Sequence, residues 1–158
     1  MSHVTHDTFT IERVVDASPE RVFQALAQAD VKSKWFAGPP GWKQHERTFD
    51  FRVGGVERLS GTHASGLSSA FGARYLDIVP NQRVVYVYEM TVNGEKISAS
   101  LATFELVRQG DKTKIVLTEQ GAYFEDAEMK TYAPKGQAAS RHEGTLALMD
   151  KLAAIFAA

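Results

Sequence analysis

GARYLDIVPNQRVVYVYEM, residues 72–90, holds two alternating apolar strands, 71–79 and 83–92, on either side of the turn Pro80-Asn81-Gln82. Strands this rich in Tyr and Val, followed by further strands and one long helix, wrap a sheet around a helix and leave an apolar hollow between them. No catalytic signature stands beside them, so the stretch describes a container more clearly than its contents.

Downstream, Asn93-Gly94 is the strongest short hairpin signal of the chain and returns it as a strand over 96–107. Gln109-Gly110-Asp111 turns into a strand over 113–120. Residues 121–136 read as a loop that resembles a lid, with Tyr123, Phe124 and Tyr132 among the acids Glu125, Asp126 and Glu128. From about Ala138 the spacing predicts a helix to the end, with Thr145, Leu148, Met149, Leu152, Ile155 and Phe156 on one face. Ser140 and Glu143 have capping-box spacing, which would start the first regular turn at Arg141.

Upstream, Ala64 to Ala70 is a flexible Gly- and Ser-rich hairpin loop, preceded by strands over 47–53 and 56–62 joined by the Gly54-Gly55 turn. The proline loop at 37–41 cannot continue a helix. Before it, Ser18-Pro19-Glu20 reads as an N-cap, a proline at the first helical position and an acid at the positive helix end. Val22, Phe23 and Leu26 give that helix its apolar face, and Asp30 is expected to cap a second short helix carrying Trp35 and Phe36. Phe9, Ile11 and Val14-Val15 mark a first strand.

A chain of 158 residues is long enough for one good core, and the whole of 1–158, with its core at about 9–156, is expected to be one domain. Lysine and arginine number 18 against 19 acids, so the net charge of -1 gives no long-range pull on nucleic acid or an anionic membrane. Without cysteine there is no disulfide, thiolate metal site or cysteine nucleophile. Neither a signal core nor a window of membrane-spanning apolarity is visible, so a cytoplasmic protein without membrane insertion is expected.

The titratable groups form no recognised constellation. His45-Glu46 lacks the second histidine of a zincin, and no metal site reads from the spacing of His3, His6, His45, His63 and His142. Gly66-Leu67-Ser68-Ser69-Ala70 lacks the nucleophile-elbow spacing, and Gly54-Gly55 lacks the Lys-Ser/Thr of a phosphate loop. Metal, cofactor and turnover of generic ester, phosphate or glycoside substrates are therefore not expected. Tyr86 and Tyr88 share a parity with Val84, which sets Glu89 outward with Val85 and Val87. For Glu105 and Glu119 parity leaves both faces open, with a solvated or salt-bridged carboxylate the ordinary outcome. The expected lining of the hollow is Trp35 and Phe36 from the short helices, and Phe49, Phe51, Tyr75, Tyr86, Tyr88, Phe104 and Leu117 from the strands. Tyr123, Phe124 and Tyr132 would cap its mouth, and Arg141, His142, Thr145 and Met149 would face it from the last helix. Ordinary core packing explains the same aromatics equally well, and for Arg141 and His142 solvent beyond the core is the favoured place, with contact to the hollow the alternative.

The order strand, two short helices, six strands, long C-terminal helix resembles the α+β helix-grip fold of the START-like, or SRPBCC, superfamily. Ser18-Pro19-Glu20-Arg21-Val22-Phe23, Trp35-Phe36, Phe51-Arg52-Val53-Gly54-Gly55, Tyr75-Leu76-Asp77-Ile78-Val79-Pro80, Leu101-Ala102-Thr103-Phe104-Glu105 and Thr118-Glu119-Gln120-Gly121 resemble its activator of heat-shock protein 90 ATPase-like branch. Where many relatives have Gly-Trp in the last helix this chain has Gly144-Thr145, which implies a larger cavity. The resemblance implies binding of a small apolar, aromatic or lipid-like ligand between sheet and helix. A cyclase- or hydrolase-type enzyme and a chaperone ATPase-stimulating, stress-response module remain alternatives within the same superfamily, and homodimerisation is left open.

Overall fold

A computed structural model describes residues 3–126 and 129–157, Lys130 by its backbone alone. Strand β1 (Val4–Val15) leads into helices α1 (Pro19–Ala27) and α2 (Ala29–Trp35). Strands β2 (Lys43–Phe49), β3 (Val56–Thr62), β4 (Ser68–Val79), β5 (Arg83–Val92), β6 (Glu95–Gln109) and β7 (Lys112–Phe124) follow. The chain closes with a short α3 (Met129–Tyr132) and the long α4 (Gln137–Ala154). Among the described residues the strands make one seven-stranded antiparallel sheet in the order β1-β7-β6-β5-β4-β3-β2. Consecutive hairpins build it from β2 to β7, and β1 joins the far edge beside β7. Helix α4 packs along β1 and β7 and meets α2 at its side, which is the helix-grip arrangement.

Local chemistry sets most boundaries. The Ser18 hydroxyl accepts from the Arg21 amide at 3.3 Å with Pro19 in the first turn, so one orphan donor of α1 is satisfied and φ is preset. Asn93 (φ 49°) and Gly94 (φ 84°) both take the left-handed region, as a two-residue turn between β5 and β6 requires. Inward residues of the sheet, among them Ile11, Val84, Phe104 and Ile115, then meet Met149 and Leu152 of α4 in the core. Full burial of each such aliphatic side chain contributes about 1.5–3 kcal/mol.

Several boundaries differ from the sequence reading, among them the start of β2 at Lys43 and of β4 at Ser68, which shortens the loop expected over 64–70. The first strand starts at Val4, because the polar run before Phe9 pairs with β7 along a sheet edge, where one side faces water. Asp30 is not the cap of α2; Gln28 occupies that position without a side-chain cap bond, and Asp30 sits in the first turn, where its charge still suits the helix end. The strand expected over 47–53 ends at Phe49, and the chain bends so that the Arg52 amide bonds Asp50 O and the Gly55 amide bonds Arg52 O. Phe49 and Phe51 still stack, with centroids 5.8 Å apart, which is why their spacing imitates a strand.

Gly121 does not end β7, which runs on through Tyr123 and Phe124. A Cβ at Gly121 would collide with the Tyr123 ring, so the glycine is there for close approach and not for a turn. Helix α4 starts at Gln137 behind Gly136 (φ 93°), and no Ser140 capping box forms. Its N-terminus is instead tied to the end of β7: the Gln137 amide donates to Glu125 Oε1 at 3.1 Å and Gln137 Nε2 donates to Phe124 O at 2.7 Å. Glu128, expected in the lid-like loop, lies outside the described residues.

Candidate functional site

Sheet, α4 and α2 enclose a cavity of about 390 Å³. Its sheet wall is formed by Tyr86, Tyr88 and Met90 of β5 with Phe71, Phe104 and Leu117 of the neighbouring strands. Gln137, Arg141, Thr145, Leu148 and Met149 of α4 form the opposite wall. Lys32 and Trp35 of α2, with Phe36 just after it, close one side, and Trp42, Met129 and Tyr132 add to the lining. The alternation of β5 decides which ring goes where: Val84, Tyr86 and Tyr88 turn inward, and Glu89 turns outward to pair with Lys96 at 3.0 Å.

Of the residues singled out from the sequence, Trp35, Phe36, Tyr86, Tyr88, Phe104, Leu117, Tyr132, Arg141, Thr145 and Met149 stand on this wall. Six stand elsewhere. Tyr75 is buried one strand pair further along, where Phe49 and Phe51 set their rings against it at 6.3 and 5.0 Å, so all three pack as core. His142 stacks on Phe9 at 4.5 Å with 17° between the planes, a partner on β1 that turns it away from the hollow. Tyr123 is 1% exposed, faces inward from β7 and lies beneath the Arg141 guanidinium; Phe124, on the opposite parity, points to the other face.

One polar constellation stands on the cavity wall at α4, and a second stands beside the cavity at α2, where only Lys32 belongs to the wall. At the α4 wall the Tyr88 hydroxyl donates to Glu119 Oε1, and Arg141 donates to Tyr88 Oη at 3.0 Å and to Ser98 Oγ at 2.7 Å. The guanidinium also lies over the Tyr88 and Tyr123 rings at 5.4 and 5.5 Å. Glu119 is 3% exposed and lines the cavity, whereas Glu105 on the next strand is exposed. Burial pushes the Glu119 carboxyl above the ordinary glutamate range, against the opposing pull of the Tyr88 hydroxyl and the Arg141 charge. Burial likewise raises the Tyr88 phenol. This is an inward acid–base group of the kind an enzyme of this fold requires, and parity alone left it undecided.

At the α2 side, Lys32 Nζ donates to Glu57 Oε1 at 2.5 Å and to Tyr75 Oη at 3.1 Å, and the Tyr75 hydroxyl donates to the same carboxylate oxygen at 2.5 Å. Four rings surround the ammonium: Phe49 at 4.9 Å, Phe36 at 5.0 Å, and Trp35 and Tyr75 at 5.8 Å. Desolvation lowers the Lys32 pKa against the supporting charge of Glu57. The sequence reading passed over both residues. The signal was there: Lys32 lies three residues before Trp35 on the same face of α2, and Glu57 alternates with Leu59 on the buried parity of β3.

Among the described residues, three buried side-chain polar atoms lack a partner, and two of them, Trp42 Nε1 and Gln137 Oε1, belong to residues of the cavity wall. Gln137 donates its amide nitrogen to Phe124 O, so its free atom is the acceptor oxygen. No group of three or more His, Asp or Glu among the described residues is placed to hold a metal ion, and no helix among them is long and apolar enough to cross a membrane.

The family model described as Activator of Hsp90 ATPase homolog 1-like protein matches residues 16–157. The Mll3558 protein from Rhizobium loti is similar over its full fold, with 41% identity, a TM-score of 0.84, and 96% of this chain and 98% of that one covered. An uncharacterized protein from Rhizobium leguminosarum is 35% identical with a TM-score of 0.88, covering 99% of this chain and 97% of that one. Protein CV1439 from Chromobacterium violaceum, 24% identical with a TM-score of 0.71 over 95% and 97% of the two chains, shares the fold. No curated protein matches. With that model spanning nearly the whole chain and two solved relatives at 41% and 35% identity, the chain belongs to the Activator of Hsp90 ATPase homolog 1-like family of the START-like superfamily.

Proposed function

We propose that the protein binds a small apolar or aromatic molecule in the cavity between sheet and α4, with an oxygen-bearing polar end directed at Arg141. The observation that supports this reading is an aromatic-walled hollow of about 390 Å³ with the Arg141 guanidinium on its α4 wall. A ligand with an apolar body and one polar group fits such a wall, its body against the rings. Arg141 engages only neutral hydroxyl oxygens in its described hydrogen bonds, so a ligand carboxylate or carbonyl adds a charge-assisted bond without displacing a protein partner.

Displacement of a solvatochromic dye, followed by native mass spectrometry of the full chain, tests the reading. Micromolar binding, about −8 kcal/mol, is expected. Tyr88→Ala is expected to change dye affinity more than Glu89→Ala, and Arg141→Ala to weaken carboxylate ligands more than neutral analogues of the same shape. Dye binding no better than to a solid-core protein removes the reading.

Glu119 favours a second reading, in which the cavity is the active site of a cyclase- or hydrolase-type enzyme. A carboxyl whose pKa burial raises, bonded to a phenol, suits proton transfer to a carbonyl ligand. Turnover that Glu119→Gln abolishes while dye affinity persists would establish it; binding without turnover leaves the first reading standing. A chaperone-stimulating role, named in the family description, would work through an exposed surface and would leave dye-blocking ligands without effect on it.

A further inference from the structure

We propose that Lys32 is a nucleophilic amine that captures aldehyde or ketone ligands in the cavity as a Schiff base, with Glu57 and Tyr75 as its proton-handling partners. The proposal builds on the ligand-binding reading of the cavity and adds covalent chemistry at its α2 side.

Three features set Lys32 apart from a lysine that merely ties a helix to a sheet. Its side chain is 9% exposed and the residue forms part of the cavity wall, beside the wall rings of Trp35 and Phe36. Four aromatic rings within 4.9–5.8 Å of Nζ exclude the water that keeps an ordinary ammonium protonated and that would hydrolyse an imine. Glu57 Oε1 at 2.5 Å is a carboxylate placed to take a proton from Nζ, and the Tyr75 hydroxyl, within 3.1 Å of Nζ and 2.5 Å of the same oxygen, bridges the two. The lowered Lys32 pKa, caused by desolvation, points the same way. Arginine would make a stronger structural pair here; lysine is the cation that can give up its proton.

In the step, the Lys32 ammonium passes one proton to Glu57. The freed nitrogen lone pair forms the N–C bond to the carbonyl carbon as the carbonyl π pair moves onto oxygen. That oxygen takes a proton delivered from Glu57 through Tyr75, the nitrogen loses its second proton to the carboxylate, and the hydroxyl leaves with a proton as water. The products are the protonated imine, its one remaining proton on nitrogen and its charge beside the Glu57 carboxylate, and one water, with Glu57 returned to its starting state and no oxidant or reductant consumed.

The full-length protein is treated at neutral pH with benzaldehyde and cyanoborohydride, and the adducts are mapped by peptide mass spectrometry over time. Benzyl alcohol, which has no carbonyl, is tested in parallel for dye displacement. The expected result is a single benzyl adduct that appears first on Lys32, ahead of the surface lysines, and is suppressed by excess benzyl alcohol. Lys32→Arg keeps the charge beside Glu57 and is expected to lose the adduct. Displacement by benzyl alcohol with Lys32 labelled no sooner than the surface lysines overturns the proposal and leaves the binding reading intact. Absence of both displacement and Lys32 labelling overturns the two together. The labelling order in the unmodified chain decides the matter even where the variant does not fold.

Discussion

Glu119 shows how much of the site depends on a single parity. On β7 it shares the inward side with Leu117 and Tyr123, in a strand that runs three residues beyond Gly121. Alternation around Thr118-Glu119-Gln120 fits either face, so sequence could nominate the carboxyl but not place it; only the register against β1 and β6 does so. Burial raises its folded pKa above the ordinary 4.5, so the folded chain holds the proton more firmly than the unfolded chain does. The resulting contribution to stability is complete below the unfolded pKa and is lost as pH rises through the folded one. Glu119→Gln, which cannot ionise, is therefore expected to gain on the parent as pH rises from acid to neutral in urea denaturation. Parallel curves for the two proteins would mean that the carboxyl ionises freely in the fold.

Elements are held in place by contacts that local propensity does not record. Ser18-Pro19, Asn93-Gly94 and the β5 alternation were legible because each is a local rule of backbone geometry. The length of β7, the start of α4 and the seating of α2 were not, because each depends on a residue distant in sequence. Lys32 joins α2 to Glu57 of β3, and Lys32→Met strands that carboxylate in the core, at a cost of about 3–5 kcal/mol. The double variant Lys32→Met with Glu57→Gln is expected to recover much of it; equal instability of single and double variants would show that the pair itself holds the helix. In β7, Gly121→Ala drives a methyl into the Tyr123 ring and is expected to cost about 1–3 kcal/mol. In a Tyr123→Ala background the same change is expected to cost far less, a coupling readable from a double-mutant cycle of denaturation midpoints.

At the scale of the molecule, a sheet wrapped around the last helix was legible from the succession of strands and the helical stripe, whereas the seating of β1 beside β7 was not, because that pairing joins the two ends of the chain. The hollow was legible only as a surplus of aromatics. Whether such rings fill a core or line a space depends on their distances across the fold, and here Phe49, Phe51 and Tyr75 do the first while Tyr86, Tyr88 and Phe104 do the second. Position 145 offers the most direct test. Thr145 is buried on the α4 wall of the cavity, so Thr145→Trp fills the space from the helix side and leaves the sheet untouched. Dye titration of the parent and of Thr145→Trp, both verified as folded by circular dichroism, measures what the space does. The account predicts micromolar binding by the parent and a loss of about 1.4 kcal/mol or more, tenfold in affinity, in the filled variant. Equal affinity in the two proteins would place the dye outside the cavity and contradict the claim that this hollow is the binding site.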